Sequence, residues 1–170
     1  MYSILAIRCS IDAASAPDYF YYSGHGSHAT GGLTGNLTPS MVTNYWTRDL
    51  DCVILAGCSV LDINDYNNNF GGSGHLASPG KMWCQTGVGT LLGYCGRAPA
   101  DLNNVSSAII TSWVSRRGSM GDIDAWMKAN ADNHAWNACA IVKGEKYTYF
   151  HKIVKGFWKR RNVEKKDWRP

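Results

Sequence analysis

No apolar run in the 170 residues is longer than about six positions, far short of the roughly 20 that span a bilayer, so no membrane span is expected. The opening MYSILAIRCS has no basic start and no small-residue cleavage site after a long apolar segment, and reads as a strand rather than a leader. No CxxC pair occurs, which removes the usual ligand spacing of structural zinc. The six cysteines are scattered at 9, 52, 58, 84, 95 and 139, most of them inside apolar runs. That is the pattern of buried free thiols rather than of a disulfide framework, and a reducing cytoplasm is the compartment expected. Charged residues make up only 18% against 45% hydrophobic, the balance of an ordinary globular chain and not of a disordered one. Internal repeats are absent. So is any nucleic-acid-binding fingerprint, and no nucleic-acid partner is expected.

Charge is unevenly placed. From His151 onward the chain carries eight Lys/Arg and two Asp/Glu, whereas residues 1–150 carry nine and eleven. The net charge of +4 therefore comes from the end of the chain. The expected organisation is one domain over residues 1–150 with an abbreviated N-terminal part, followed by a basic tail over 151–170.

Within the domain, DYFYYSG (18–24) is aromatic and β-prone and ends in glycine. LTPSMVTNYWTRDL offers Thr38 as N-cap and Pro39 at the first helical position, predicting a helix of about ten residues. CVILAG (52–57) is a continuous apolar run of strand length, as expected for burial on both faces. Strand, helix, strand is a βαβ unit. A short helix capped by Ser78 with Pro79, a third parallel strand in VGTLLGYCG, a helix over 104–118 closed by Gly118, and a helix over 121–131 follow. NACAIVKGEKYTYF reads as two strands joined at Lys143 to Lys146, and residues 67–75 as one long loop. One strand, Tyr2 to Arg8, fits before the βαβ unit. The fold class is α/β: a mainly parallel sheet with helices on both faces, a three-layer sandwich.

Catalytic groups on such sheets gather at the carboxyl ends of the strands. His25, in YYSGHGSHAT, follows the first strand of the βαβ unit, and Cys58, in VILAGCS, follows the second. Neighbouring strands lie about 5 Å apart, so both groups open onto one rim. A thiol is a strong nucleophile once deprotonated, and an imidazole can take its proton and later protonate a leaving amine. The N–H groups of Gly26 and Cys58 are placed to bind the oxyanion of an acyl-transfer intermediate. His25-x-x-His28 also invites a metal reading with Cys58 or His75, but two ligands in one loop fall short of a zinc motif. No metal and no cofactor are expected.

The strand endings YYSGHG and VILAGCS resemble the His-Gly and Cys motifs of caspase-like cysteine peptidases, a clan that includes caspases, metacaspases, separases, clostripain, gingipains and bacterial CHAT domains. AGCS looks most like the separase and CHAT versions. TGVGTLLGYCGRAPAD is similar to the glycine-rich strand and pocket loop that follow the cysteine in CHAT-like domains, and SWVSRRGSMGDIDAWMKA to their paired C-terminal helices. The resemblance spans roughly residues 17–143. It implies a caspase-like endopeptidase acting on protein or peptide substrates without a cofactor, with His25 as general acid/base and Cys58 as nucleophile. Substrate selection would fall to charges near the rim, Asp62, Asp65, Arg97 and Asp101. A carboxylate there selects Lys or Arg before the cut, and Arg97 would select acidic residues; Asp62 or Asp65 is favoured. Two other readings share these residues. One is a silent interaction module whose sheet edge is completed by a partner chain. The other is a thiol acyl hydrolase or transferase acting on a non-peptide group.

Overall fold

The computed structural model describes residues 3–7, 18–35, 37–43, 46, 50–62, 79–100, 104–143, 147–154 and 157–164. The expected 67–75 loop, the Ser78 cap, Asp65, His75 and Asp101 lie outside the described residues. Strands β1 (Ser3–Ile7) and β2 (Tyr19–Ser23) come first, then helix α1 (Pro39–Val42), β3 (Cys52–Ala56), α2 (Pro79–Cys84) and β4 (Thr90–Tyr94). Helices α3 (Val105–Met120) and α4 (Asp122–Asp132) follow, then β5 (Ala138–Lys143), β6 (Tyr147–Val154) and β7 (Phe157–Glu164). The seven strands lie side by side in chain order in one sheet.

The α/β class is as expected, but the sheet is mixed rather than mainly parallel. Only the β2–β3 and β3–β4 pairings are parallel; β1–β2, β4–β5, β5–β6 and β6–β7 are antiparallel. Connection length explains this. A parallel step needs a crossover of a dozen residues or more, and the links before β2, β6 and β7 are shorter than that. Between β4 and β5 the chain has length to spare, but it makes two helices, α3 and α4 joined at Gly121, and β5 enters from the opposite end.

Side chains alternate across β3 and β4 into two cores. Val53, Leu55 and Leu91 join Val42 of α1 and Trp83 of α2, while Cys52, Ile54 and Leu92 join Ile109 and Trp113 of α3 and Trp126 of α4. Steps from β2 to β3 to β4 all move the same way across the sheet, so right-handed crossovers pass over a single face. That face carries α1 and α2, leaving the other to α3 and α4. Trp83, Trp113 and Trp126 are fully buried. Each contributes several kcal/mol on the usual scale of about 25 cal/mol per Å².

Three boundaries differ from expectation. Helix α1 has four residues rather than about ten, and the Thr38 side chain makes no capping bond to it. Helix α3 runs through Gly118 and ends at Gly121, whose φ of +81° suits a residue without a Cβ. The segment expected as a tail from 151 is instead part of the sheet, since β6 begins at Tyr147 and pairs with β7. The β-prone Tyr, Thr, Phe, Ile and Val of YTYFHKIV outweigh the basic charge that suggested a tail. No helix among the described residues is long and apolar enough to cross a membrane.

Candidate active site at the carboxyl ends of β2 and β3

Strands β2 and β3 pair from Tyr19 opposite Cys52 to Ser23 opposite Ala56, a constant offset of 33 positions. His25 and Cys58 stand at that same offset, each two residues past the last pair. The Gly24 N–H donates to the Ala56 carbonyl at 3.2 Å, which carries the ladder one step beyond the strands. Both residues therefore leave the same end of adjacent strands at the same level. His25 is exposed and Cys58 is half-buried with a free thiol.

The two loops touch through their backbones. A Cβ on Gly26 would lie 2.7 Å from the Cys58 carbonyl oxygen, 3.2 Å from the Cys58 nitrogen and 2.2 Å from Val60 Cγ1. Only glycine fits there. Its φ is not positive, so the site uses the missing side chain rather than an unusual backbone angle. Among the described residues, neither the Gly26 nor the Cys58 N–H has a hydrogen-bond partner. Two N–H donors thus lie on backbones packed directly against each other.

The cysteine loop is bent sharply. Ser59 adopts a left-handed conformation with φ of +54°, a strain of about 1–2 kcal/mol for a residue with a Cβ. Its N–H donates to the Gly96 carbonyl at 2.7 Å, and the Leu61 N–H to Tyr94 at 3.1 Å. Gly93 makes room for this turn, because a Cβ there would meet Leu61 Cδ1 at 2.9 Å. The loop after β4 closes the third side: the Ala98 N–H donates to Cys58 Sγ at 3.4 Å and holds the sulfur in place.

The histidine is anchored by its main chain. Its carbonyl accepts bonds from Tyr22 Oη at 2.9 Å, the Thr34 N–H at 3.1 Å and Thr34 Oγ1 at 3.3 Å. Tyr22 Oη also accepts the Thr34 N–H at 3.0 Å. Tyr22 is wholly buried, so a rigid side chain holds both ends of the loop that presents His25. The same loop is tied to α2 by the buried Trp83 indole, which donates to the Gly31 carbonyl at 2.8 Å. Among the described residues no side chain, that of Cys58 included, is hydrogen-bonded to the His25 imidazole.

The four rim charges fare differently. Arg97 is exposed and sits next to Ala98 in the loop that holds the sulfur. Asp62 is engaged by His28, with Oδ2 3.5 Å from Nδ1, a contact that links the histidine loop to the cysteine loop. Asp65 and Asp101 lie outside the described residues. Among the described residues no group of three or more His, Cys, Asp or Glu is placed to hold a metal.

The other described thiols are divided between the two cores. Cys95, at the end of β4, is held below the ordinary thiol range by a hydrogen bond from Cys139, while burial pushes Cys139 well up. Burial likewise raises Cys52 and lifts Cys84 to about 12. No known family, curated protein or solved structure matches the chain. Sequence reasoning located both loops but missed Tyr22, Thr34, the Ala98 amide and the His28–Asp62 contact. A tyrosine three residues before the histidine carried the one signal for Tyr22, and four consecutive aromatics, Tyr19 to Tyr22, masked which of them faced inward.

Proposed function

We propose that this chain is a cysteine endopeptidase of caspase-like type, with Cys58 as nucleophile and His25 as general acid/base. One observation carries the reading: the shared register offset of His25 and Cys58 at the ends of parallel neighbours β2 and β3. The packing of Gly26 against the Cys58 backbone supports it.

In this mechanism His25 takes the thiol proton and Sγ bonds to the scissile carbonyl carbon. The carbonyl electron pair moves onto oxygen, where the Gly26 and Cys58 N–H groups receive it. One such donor is typically worth about 10²–10³ in rate. Collapse breaks the C–N bond, and His25 hands its proton to the departing amine, leaving a thioester. Water, deprotonated by His25, then attacks the thioester, and its breakdown releases the acid and returns the proton to sulfur. Asp62 is held by His28, which weakens the expected preference for a basic residue before the cut. Arg97, exposed beside the sulfur-holding loop, favours an acidic one.

Covalent labelling by an electrophilic peptide tests this. Wild type should be modified at Cys58, Cys58→Ala should abolish both labelling and hydrolysis with the fold intact, and His25→Ala should slow labelling about 10²–10⁴-fold. Wild type that never labels at Cys58 under any activating condition refutes the proposal. A second reading, an interaction module, draws on the sheet ending in β1 at one edge and β7 at the other. An unpaired strand edge invites a partner chain. A monomer in solution that labels at Cys58 would count against it.

A further inference from the structure

An open recess of about 430 Å³ lies against the histidine loop, walled by His25, Ser27, Thr30, Thr34 and Thr38 over the buried Leu33. Among the described residues, nothing from 57–62 or 95–100 lines it. The recess thus adjoins His25 and not the cysteine loop. In acyl transfer the two halves of a cut peptide part on different sides. The acyl half stays bonded to sulfur, and the amine half departs from beside the group that protonates it. Resting on the dyad reading above, we propose that this recess is the leaving-group subsite, and that it takes a short, uncharged, hydrogen-bonding side chain on the amine side of the scissile bond.

The walls define that chemistry. Apart from His25 they carry no ionisable group. Thr34 Oγ1 donates its proton to the His25 carbonyl, so its oxygen remains available as an acceptor. Thr30 Oγ1 accepts the Gly32 N–H at 3.1 Å and keeps its own O–H to donate. Ser27 adds a hydroxyl able to do either. One donor and one acceptor flank an apolar floor, which matches serine, threonine or asparagine: a polar head with a methylene or methyl beneath. A Lys or Arg side chain would surrender hydration here and gain no opposite charge from the walls, and an Asp or Glu would meet only the His25 imidazolium, whose proton passes to the departing amine.

The test uses the whole chain and a peptide library with the amine-side residue varied against mixed acyl-side sequences, read by mass spectrometry. Serine, threonine and asparagine should exceed the four charged residues by about tenfold in kcat/KM, the factor one neutral hydrogen bond supplies. Thr30 is exposed, so Thr30→Val should fold, and it should cut that preference to about threefold or less. A second measurement adds serine amide or lysine amide as competing amines during turnover. The serine amide should capture the acyl-enzyme about tenfold better. Labelling at Cys58 with cleavage that is indifferent to the amine-side residue overturns the subsite alone. So does a preference for charged residues, or a Thr30→Val profile matching wild type. Absence of labelling and cleavage overturns the dyad and the subsite together.

Discussion

Replacing Tyr22 with phenylalanine removes one oxygen from the centre of the histidine loop and leaves the buried ring in place. That oxygen gives one hydrogen bond, to the His25 carbonyl at 2.9 Å, and receives one, from the Thr34 N–H at 3.0 Å. Neither partner is orphaned by its loss. The Thr34 N–H still reaches the His25 carbonyl at 3.1 Å, and that carbonyl still accepts Thr34 Oγ1 at 3.3 Å. The cost is therefore that of an ordinary hydrogen bond, about 1 kcal/mol, rather than the roughly 1–3 kcal/mol of a buried group left without any partner. Chemical denaturation should show this as a lower midpoint at unchanged slope. The larger effect falls on chemistry, because the backbone presenting His25 loses its rigid strut, and small misplacements of a catalytic group are costly. Peptide-electrophile labelling of Cys58 should slow about tenfold, and its pH profile should broaden towards that of His25→Ala. In a His25→Ala background the same change should leave the labelling rate where it is, since the two residues act as one unit. A stability loss above about 3 kcal/mol would refute the hydrogen-bond reasoning. An unchanged labelling rate in otherwise wild-type protein would refute the positioning role.

Gly26→Ala should push the two loops apart, costing about 1–3 kcal/mol and most of the labelling at Cys58, as the added carbon falls on Val60 and on the Cys58 carbonyl. Gly118→Ala should do the opposite and raise stability by up to about 1 kcal/mol, because Gly118 is helical, in the last turn of α3, with nothing within 4 Å; thermal unfolding of both variants checks the pair. Iodoacetamide mapped by peptide mass should modify Cys58 and Cys95 well ahead of Cys52, Cys84 and Cys139; for Cys84, a rise from 9.0 to about 12 alone leaves roughly a thousandth of the thiolate. Asp132 is held below the usual carboxylate range by hydrogen bonds from Lys128 and Arg116. Its support of the α3–α4 pair is present above the ordinary carboxylate value of about 3.9 and fades as pH falls through its lower folded value. Asp132→Asn should flatten the acid side of the melting-temperature profile, by a small amount because the carboxylate is exposed.

The elements that sequence made legible are those whose pattern has a single cause. CVILA is apolar at every position because β3 is covered on both faces, and the strand sits where it was expected. Gly24-His25-Gly26 and Gly57-Cys58-Ser59 mark the ends of β2 and β3, and pairing those strands in register needed only the βαβ rule. Direction was harder. Two helices were legible between β4 and β5, but whether β5 then runs with or against β4 depends on how they pack, which their sequences leave open. The β6–β7 hairpin was obscured because charge and alternation compete in the same residues, and pairing with β5 decides in favour of a strand. Tyr22 could not be told from Tyr21 by type; the difference is which face of β2 each occupies. At Gly26 the missing side chain makes room for the Cys58 backbone, a use that residue type alone does not reveal.

The chain-order sheet also fixes how far its basic end is from the chemistry. β7, with Lys159, Arg160 and Arg161 in sequence, is four strands from β3, a separation of about 19 Å at the usual strand spacing. That is roughly twice the screening length at physiological salt. A protein or surface captured along β7 would hold the chain like a mooring line, and on the proposed peptidase reading substrate encounter at the rim would be governed by nearer groups such as Arg97, His28 and Asp62.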